Sequence, residues 1–489
     1  MLSLRFIFII VLCIDKKNPI VIKQIDSALF STLSFIFESK IIKYNHSFMK
    51  KNIAFLLLVG TFFGFIAQKT SQLAVKNITN NFTKEFLYLG YPFKNASGFY
   101  IHSVDHLAKE KFYYKTELLP LEIRPFKEDL YIAGGMKSNT TFFKLDTLFN
   151  ISAVDKLEGL TFAPHDFQFL PNNHLLGFAI TPETINTVDL VENGVEDAKI
   201  EHFTIIELDT LTNEIVHQWN SKNYFSMFEA GDYVKLESKV IDYCHFNSIQ
   251  YIEQDQSVVL SSRSMSEITK IKWPEGDIIW RLGGQCNDFK FLDDTLGFSA
   301  QHQVRLHGDT LVFFDNGTFH ENPQSSVVVY KIDEKNKTVK LLRRFYGNDV
   351  NFTKRRGGVT LLKSGNYLVS WGSNIHRDYN FTELSPNGET LQNVWHYNPH
   401  NYRVNKGTWS PKLLQLVSKK RNKLQFKNNS KHTITVDKIT EAKPNANLPI
   451  TLPPNEVFEV VLIKEEASKM SIDYANKDLF FVSQDFTLK

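Results

Sequence analysis

The sequence predicts an all-β chain organised as a β-propeller, with a small β-sandwich-like appendage at its C-terminus. Three observations carry that expectation. Phe (41) and Tyr (18) are abundant beside many Val, Ile and Thr, side chains that suit the pleated, half-buried surface of a strand. From residue 95 to residue 409 short apolar runs alternate with turn residues, the pattern of successive short strands. One sequence pattern recurs there at intervals of roughly 50 to 65 residues, the length of a four-stranded blade with generous loops, and a second interleaves with it.

Two apolar runs open the chain. The first, 2–14, is followed by Asp15, Lys16 and Lys17. In the second, Met49, Lys50 and Lys51 supply a start and a positive region, and 53–67 supplies an apolar stretch. At about 15 residues that stretch is short for a membrane span and suits a signal sequence. Translation is therefore expected to begin at Met49, with 49–67 a signal peptide or anchor inside a leader of 1–71. Ala67 suits cleavage and Phe65 does not, so a retained anchor stays open. The body is expected outside the cytoplasm, periplasmic or membrane-anchored and facing the periplasm. Residues 72–94 read as a linker, 95–409 as the propeller and 410–489 as the small β domain.

Within the propeller, one pattern is an apolar strand, an Asp or turn, then a strand ending in an aromatic residue. Copies begin at Phe143, Glu207, Ile271, Tyr330 and Glu383, and three of them run to Trp219, Trp280 and Trp395. The interleaved pattern is a hairpin beginning at His165, at His245, at Gln301-His302 and at Gly357. Three consecutive copies thus place a histidine where the first strand starts, and the fourth lacks it. Equivalent positions in successive blades point to equivalent places around an axis. If these strands are innermost, His165, His245 and His302 all approach a central funnel. A lone histidine on a strand is usually structural, and three at one register weaken that reading.

The stretch 410–489 is rich in Lys and Asn, and Pro453-Pro454 punctuates it. Strand-like runs at 424–426, 433–436 and 457–463 make it a small β unit without recognisable chemistry. Of the cysteines, Cys13 lies in the leader, and Cys244 and Cys286 in the body. In an exported protein Cys244 and Cys286 either form a disulfide or remain two small thiols. The net charge of +3 is small for 489 residues and argues against a nucleic-acid partner.

Several motifs then resemble the bacterial arylsulfotransferase (aryl-sulfate sulfotransferase) family. They are Tyr243-Cys244-His245-Phe246-Asn247-Ser248-Ile249, Ser261-Ser262-Arg263, and Ile278-Ile279-Trp280-Arg281-Leu282-Gly283-Gly284. Gln301-His302, Phe314-Asp315-Asn316-Gly317 and the run from Tyr367 through Gly372-Ser373-Asn374-Ile375-His376 complete the set. The resemblance covers about Phe162 to Trp409. It implies a six-bladed propeller with its site in the central channel. It also implies transfer of a sulfuryl group from an aryl sulfate to a phenolic acceptor, without the nucleotide donor PAPS, through a sulfated histidine. By the same resemblance His376 is the nucleophile, and His245 and His302 are the other two site histidines. One departure stands out. The enterobacterial members carry an Arg shortly after Asp-Asn-Gly, whereas this chain reads Gly317-Thr318-Phe319-His320-Glu321. Arg263, Arg305 and His320 are candidate substitutes.

The chemistry is consistent with those residues. Sulfuryl transfer resembles phosphoryl transfer, with charge spread over equatorial and leaving oxygens. Neutral imidazole is a competent nucleophile near pH 7, and a phenol of pKa about 10 is a good leaving group. His245 is the expected general acid/base, with His302 and Asn316 donating to sulfuryl oxygens. His165 either lines the funnel or braces a blade. Asp315-Asn316-Gly317 is also ordinary turn chemistry, and Arg263 is otherwise expected to pair with a blade carboxylate. No cofactor is expected: no glycine-rich phosphate loop ending in Lys and Ser/Thr occurs. Two competing readings remain. A metal-dependent hydrolase could use the histidines, although no His-x-His or His-Glu-x-x-His motif supports it. A non-catalytic ligand- or partner-binding propeller fits the missing Arg.

Overall fold

The computed structural model describes residues 7–8, 24–25, 73–77, 85–92, 99–107, 109–136, 139–153, 161–347, 352–372, 381–396, 402–464, 467–476 and 479–488. The 49–67 segment and His376 lie outside them. The chain divides into two compact units, 1–71 and 72–489. In the first, Ile7–Phe8 pairs antiparallel with Gln24–Ile25. The second is all-β, and its described helices are the single 3-10 turns Ser221–Asn223 and Met227–Glu229.

Antiparallel meanders follow one another along the second unit. They run from Pro120–Phe126 to Ile151–Ala153, from Thr161–Phe169 to Ile215–Asn220, and from Phe246–Ile252 to Ile278–Gly283. Two more run from His302–His307 to Thr338–Tyr346 and from Gly358–Leu361 to Thr390–His396. The recurring Asp turns join their third and fourth strands. Asp209 Oδ1 accepts the Leu211 N–H (2.8 Å), and Asp333 Oδ1 accepts the Asn336 N–H (2.9 Å). A short polar side chain closing onto its own backbone makes Asp the natural residue there.

Two domain boundaries need correction. The expected linker, 72–94, supplies strands. Leu73–Asn77 adds to the edge of the sheet ending at Thr390–His396, and Phe86–Pro92 pairs with both Phe99–Val104 and Asn405–Gly407. The C-terminal stretch is likewise no separate appendage. Phe480–Val482 pairs with Phe112–Tyr114, so an eight-stranded sheet runs unbroken from the 86–116 strands into 434–487. A second C-terminal sheet, from Leu414–Lys420 to Ala442–Pro444, packs on it around Phe112, Phe149, Trp409, Phe426 and Tyr474. Both segments are held by backbone pairing that composition does not reveal.

Apolar clusters lie between consecutive sheets. Phe142, Phe162, Phe167 and Ile206 join the first meander to the second, and Phe178, Phe203, Phe246 and Leu260 join the second to the third. Leu87, Val104, Leu368, Phe381 and Val394 join the 86–116 strands to the meander of Gly358–Leu361.

The first strands of successive meanders are stitched by side chains. Asp166 and Gln168 accept the N–H groups of Ile249 (2.9 Å) and Tyr251 (2.7 Å). One sheet on, Ser248 and Gln250 accept those of Val304 (2.9 Å) and Leu306 (2.6 Å). This repeat puts Asn247, not His245, level with His165 and His302. His245 sits two residues earlier, level with Ala300, and both take left-handed backbones (φ 48° and 52°). His245 precedes the strand Phe246–Ile252 and its register shift, so strand alternation does not set its direction, and its ring contact with His165 does.

Below the histidines these strands converge on a buried carboxylate. Asp166 is fully buried and pairs with Arg124 (2.7 Å), Arg305 (2.8 Å) and Arg403 (3.1 Å), and Glu122 pairs with Arg124 (2.7 Å) and Arg403 (3.1 Å). Burial alone would raise the Asp166 carboxyl. The three guanidinium groups and the Ile249 N–H outweigh it and hold the carboxyl well below the usual range. Removing one partner of such a cluster strands the others, so Asp166→Ala should lower unfolding free energy by about 3–5 kcal/mol in urea titrations. A loss under about 1 kcal/mol would show the cluster to be dispensable. Because its folded pKa is depressed, Asp166 contributes fully above the unfolded value near 4 and less as pH falls below it.

Candidate active site

The histidines lie in or just before the first strands of three successive meanders, where the ladders are broken. Register shifts fall between Ala163 and Phe167, between Phe246 and Ser248, and between His302 and Arg305. A bulge leaves a residue unpaired and re-aims its side chain. The corresponding strand Gly358–Leu361 has an unbroken ladder and no histidine.

Rings from separate sheets meet here. The His165 and His245 ring centroids are 4.9 Å apart. Tyr402 bridges them to His302. Its hydroxyl lies 3.1 Å from His165 Nδ1, and its ring centroid is 5.8 Å from that of His165 and 6.3 Å from that of His302. Arg403 lies over the Tyr402 ring at 5.1 Å, which ties the site to the charge cluster beneath.

The protonation states follow from burial and partners. Burial, with the charge of His245, pushes His165 down to about 3, so it is neutral at physiological pH. Burial raises the Tyr402 phenol to about 12 against the pull of Arg403, so it keeps its proton. A phenol that keeps its proton can donate to His165 Nδ1 or accept from it, so the contact fits either neutral tautomer of His165. His245 Nδ1 is bonded to the Asp242 carboxylate. Burial would raise that carboxyl, but the charge and hydrogen bond of His245 hold it below the ordinary range. The pair leaves His245 Nε2 available on a ring whose side chain is 26% exposed.

His302 and Asn316 differ from expectation. His302 Nδ1 bonds Asn316 Oδ1 (2.6 Å), and its Nε2 accepts the Arg356 N–H (3.3 Å). The Asn316 amide nitrogen donates to the carbonyls of Thr353 (2.8 Å) and Arg356 (2.9 Å). Both side chains are buried and spent on each other and on the 353–356 loop, so neither offers a donor to a substrate oxygen. Burial, then the charges of Arg263 and Arg403, keep His302 neutral, well below its usual value.

The remaining candidates separate. Arg305 is committed to Asp166. His320 is nearly buried beside Asp315 (3.9 Å). Among the described residues Arg263 pairs with no blade carboxylate, and its side chain reaches the Lys354 carbonyl at 3.4 Å. Cys244 and Cys286 are both free thiols, one buried and one exposed, so the possible disulfide is not formed. Among the described residues no group of three or more His, Cys, Asp or Glu is placed to hold a metal ion. A cavity of about 970 Å³ opens at the other ends of the same strands, against Gln168, Gln250 and Leu306, away from these rings.

Residues 145–387 match the arylsulfotransferase (ASST) family model. That stretch, just under half of the chain, is where the protein is similar to the arylsulfotransferases. That match encloses His165, Asp242, His245, Arg263, His302 and Asn316. No curated protein matches the sequence significantly. Among solved structures, a Bacteroides caccae protein of unknown function shares 11% identity over 65% of this chain and 94% of its own (TM-score 0.39). The Pseudomonas aeruginosa periplasmic gluconolactonase PpgL shares 10% over 83% and 96% (TM-score 0.38). The β-propeller domain of Myceliophteria thermophila Cps50 (Swd1) shares 10% over 63% and 93% (TM-score 0.33).

Sequence reading missed Asp242, Tyr402 and Arg403, the last two beyond the matched stretch. Asp242 lies three residues before His245 and was legible as a partner. Tyr402-Arg403 stands far along the chain in no recognisable motif, and only folding brings it in.

A neutral His165 binds fewer protons folded than unfolded between about pH 3 and its unfolded value near 6.5. Acidification through that window therefore destabilises the fold. His165→Gln should show a smaller drop in melting temperature from pH 7 to pH 5 than wild type. Equal drops would mean that His165 is not held neutral.

Proposed function

We propose that this protein is an aryl-sulfate sulfotransferase that works without PAPS, built as a six-bladed propeller and exported. The observation that carries the reading is the meeting of His165, His245 and His302, from consecutive sheets, inside the stretch that matches the family. Six blades are supported by the apolar cluster that joins the 86–116 strands to the meander of Gly358–Leu361. Export is supported by the positive-then-apolar pattern of 49–67.

In the first half-reaction a neutral histidine nitrogen attacks sulfur, the S–O bond to the aryl group breaks, and phenolate leaves. In the second, an acceptor phenol gives up its proton, its oxygen bonds to sulfur, and the N–S bond breaks. His376 is the proposed nucleophile. Four residues before it, the Gly372 backbone lies so close to the 353–356 loop that a Cβ there would sit 2.9 Å from Thr353 Oγ1 and 3.1 Å from the Arg355 carbonyl. The Arg356 N–H of that loop donates to His302 Nε2. His245, oriented by Asp242, is the proposed general acid/base, and His165 a donor to oxygen.

Purified protein given 4-nitrophenyl sulfate and a phenol, without PAPS, should release 4-nitrophenol and form the new aryl sulfate. His376→Ala should abolish this and a sulfate adduct seen by intact mass spectrometry. Unchanged turnover in that variant would remove the assignment. Asp242→Asn should lower kcat by about 10²–10⁴, the range for losing a positioned base, with little change in melting temperature.

A further inference from the structure

Most arginines packed near this site are paired with acids. Arg124, Arg305 and Arg403 share Asp166 and Glu122, Arg281 holds Glu267 (2.8 Å), and Arg344 holds Asp294 (3.0 Å) and Asp315 (2.9 Å). Arg263 is different. Among the described residues no carboxylate oxygen pairs with it, and one long bond to the Lys354 carbonyl, 3.4 Å, is its side chain's share.

This guanidinium is nevertheless half-buried, and its backbone is fixed. The Arg263 N–H donates to the His245 carbonyl (3.1 Å), and its carbonyl accepts the Tyr233 hydroxyl (2.8 Å) and the Ser266 N–H (3.2 Å). It therefore stands across the hairpin from the His245–Asp242 pair. Its charge depresses His302 and acts on Asp242 and Tyr402. Arg355, exposed on the adjoining loop, brings a second positive charge close to it. Burial, with the charge of Arg355, leaves Arg263 below its usual value against the opposing pull of Tyr233 and Asp242.

A partly desolvated guanidinium with unspent donors is unfavourable until an anion supplies acceptors. Its planar fork matches two oxygens of a tetrahedral oxyanion. We infer that Arg263 is the anion-binding residue of the site, taking two sulfuryl oxygens of a sulfate monoester beside His245. Of the three cations available to replace an Arg after Asp315-Asn316-Gly317, Arg305 is held by Asp166 and His320 is nearly buried, while Arg263 is open. The identity of the anion rests on the transferase reading; anion binding does not.

Calorimetry on the full chain at low chloride tests this, with inorganic sulfate, 4-nitrophenyl sulfate and uncharged 4-nitrophenyl acetate as probes, beside turnover. Wild type should bind both sulfates. Arg263→Gln should weaken each roughly tenfold or more, the scale of a charge-assisted pair, and leave 4-nitrophenyl acetate and the melting temperature unchanged. Added guanidinium should restore part of the turnover of Arg263→Ala. Equal sulfate binding in Arg263→Gln, or no sulfate binding by wild type, overturns the inference. Sulfate binding that depends on Arg263 without any turnover by wild type upholds it and removes the transferase reading. Should Arg263→Gln fail to fold, Arg263→Lys must bind inorganic sulfate more weakly than wild type, and equal binding overturns the inference.

Discussion

Asp166 is the point on which the inner strands agree. Its carboxylate accepts from Arg124, Arg305 and Arg403 and from the Ile249 N–H, groups drawn from distant stretches of chain. A buried ion cluster contributes little net stability compared with an apolar core, but it tolerates few alternative arrangements. Misplacing any of these strands would leave a charge buried without a partner. The apolar clusters between sheets supply the driving force for collapse, and the charge cluster sets the order in which the strands meet. It also carries more arginine than acid, so the floor beneath the histidines is positive.

That positive floor, together with burial, explains why His165 and His302 stay neutral. Desolvation disfavours imidazolium, and nearby guanidinium groups disfavour it further. His245 has a direct carboxylate partner in Asp242. One site thus holds neutral rings beside a ring oriented by a carboxylate. Asn316 fixes which nitrogen of His302 bears the proton, and Tyr402 holds the His165 ring in place. Charge is uncompensated at Arg263, where the side chain has neither a carboxylate nor full solvent around it.

Much of the architecture was legible because strands leave periodic marks. The Asp turns at Asp209 and Asp333, the tryptophans closing fourth strands and the hairpins opened by His165 and His302 all coincide with the observed meanders. Elements that pair across long sequence distances were not. Leu73–Asn77 and Phe480–Thr487 join sheets through backbone hydrogen bonds, which any side chain can make, so their composition read as a linker and a separate domain. The two-residue error at His245 has a related cause. Its level is set by which N–H groups Asp166 and Ser248 cap, and apolar patterning cannot tell a bulged strand from a shifted one.

By itself the sequence determined the all-β class, the repeating hairpins, and the residue types for sulfuryl transfer, because local periodicity and motif chemistry lie in consecutive residues. Only the tertiary structure decided how those residues are used. Hydrogen-bond partners come from far along the chain, and they commit His302 to Asn316, Arg305 to Asp166 and Tyr402 to His165. A side chain's chemistry depends on which of its donors and acceptors remain unspent, and that is a property of its neighbours in space.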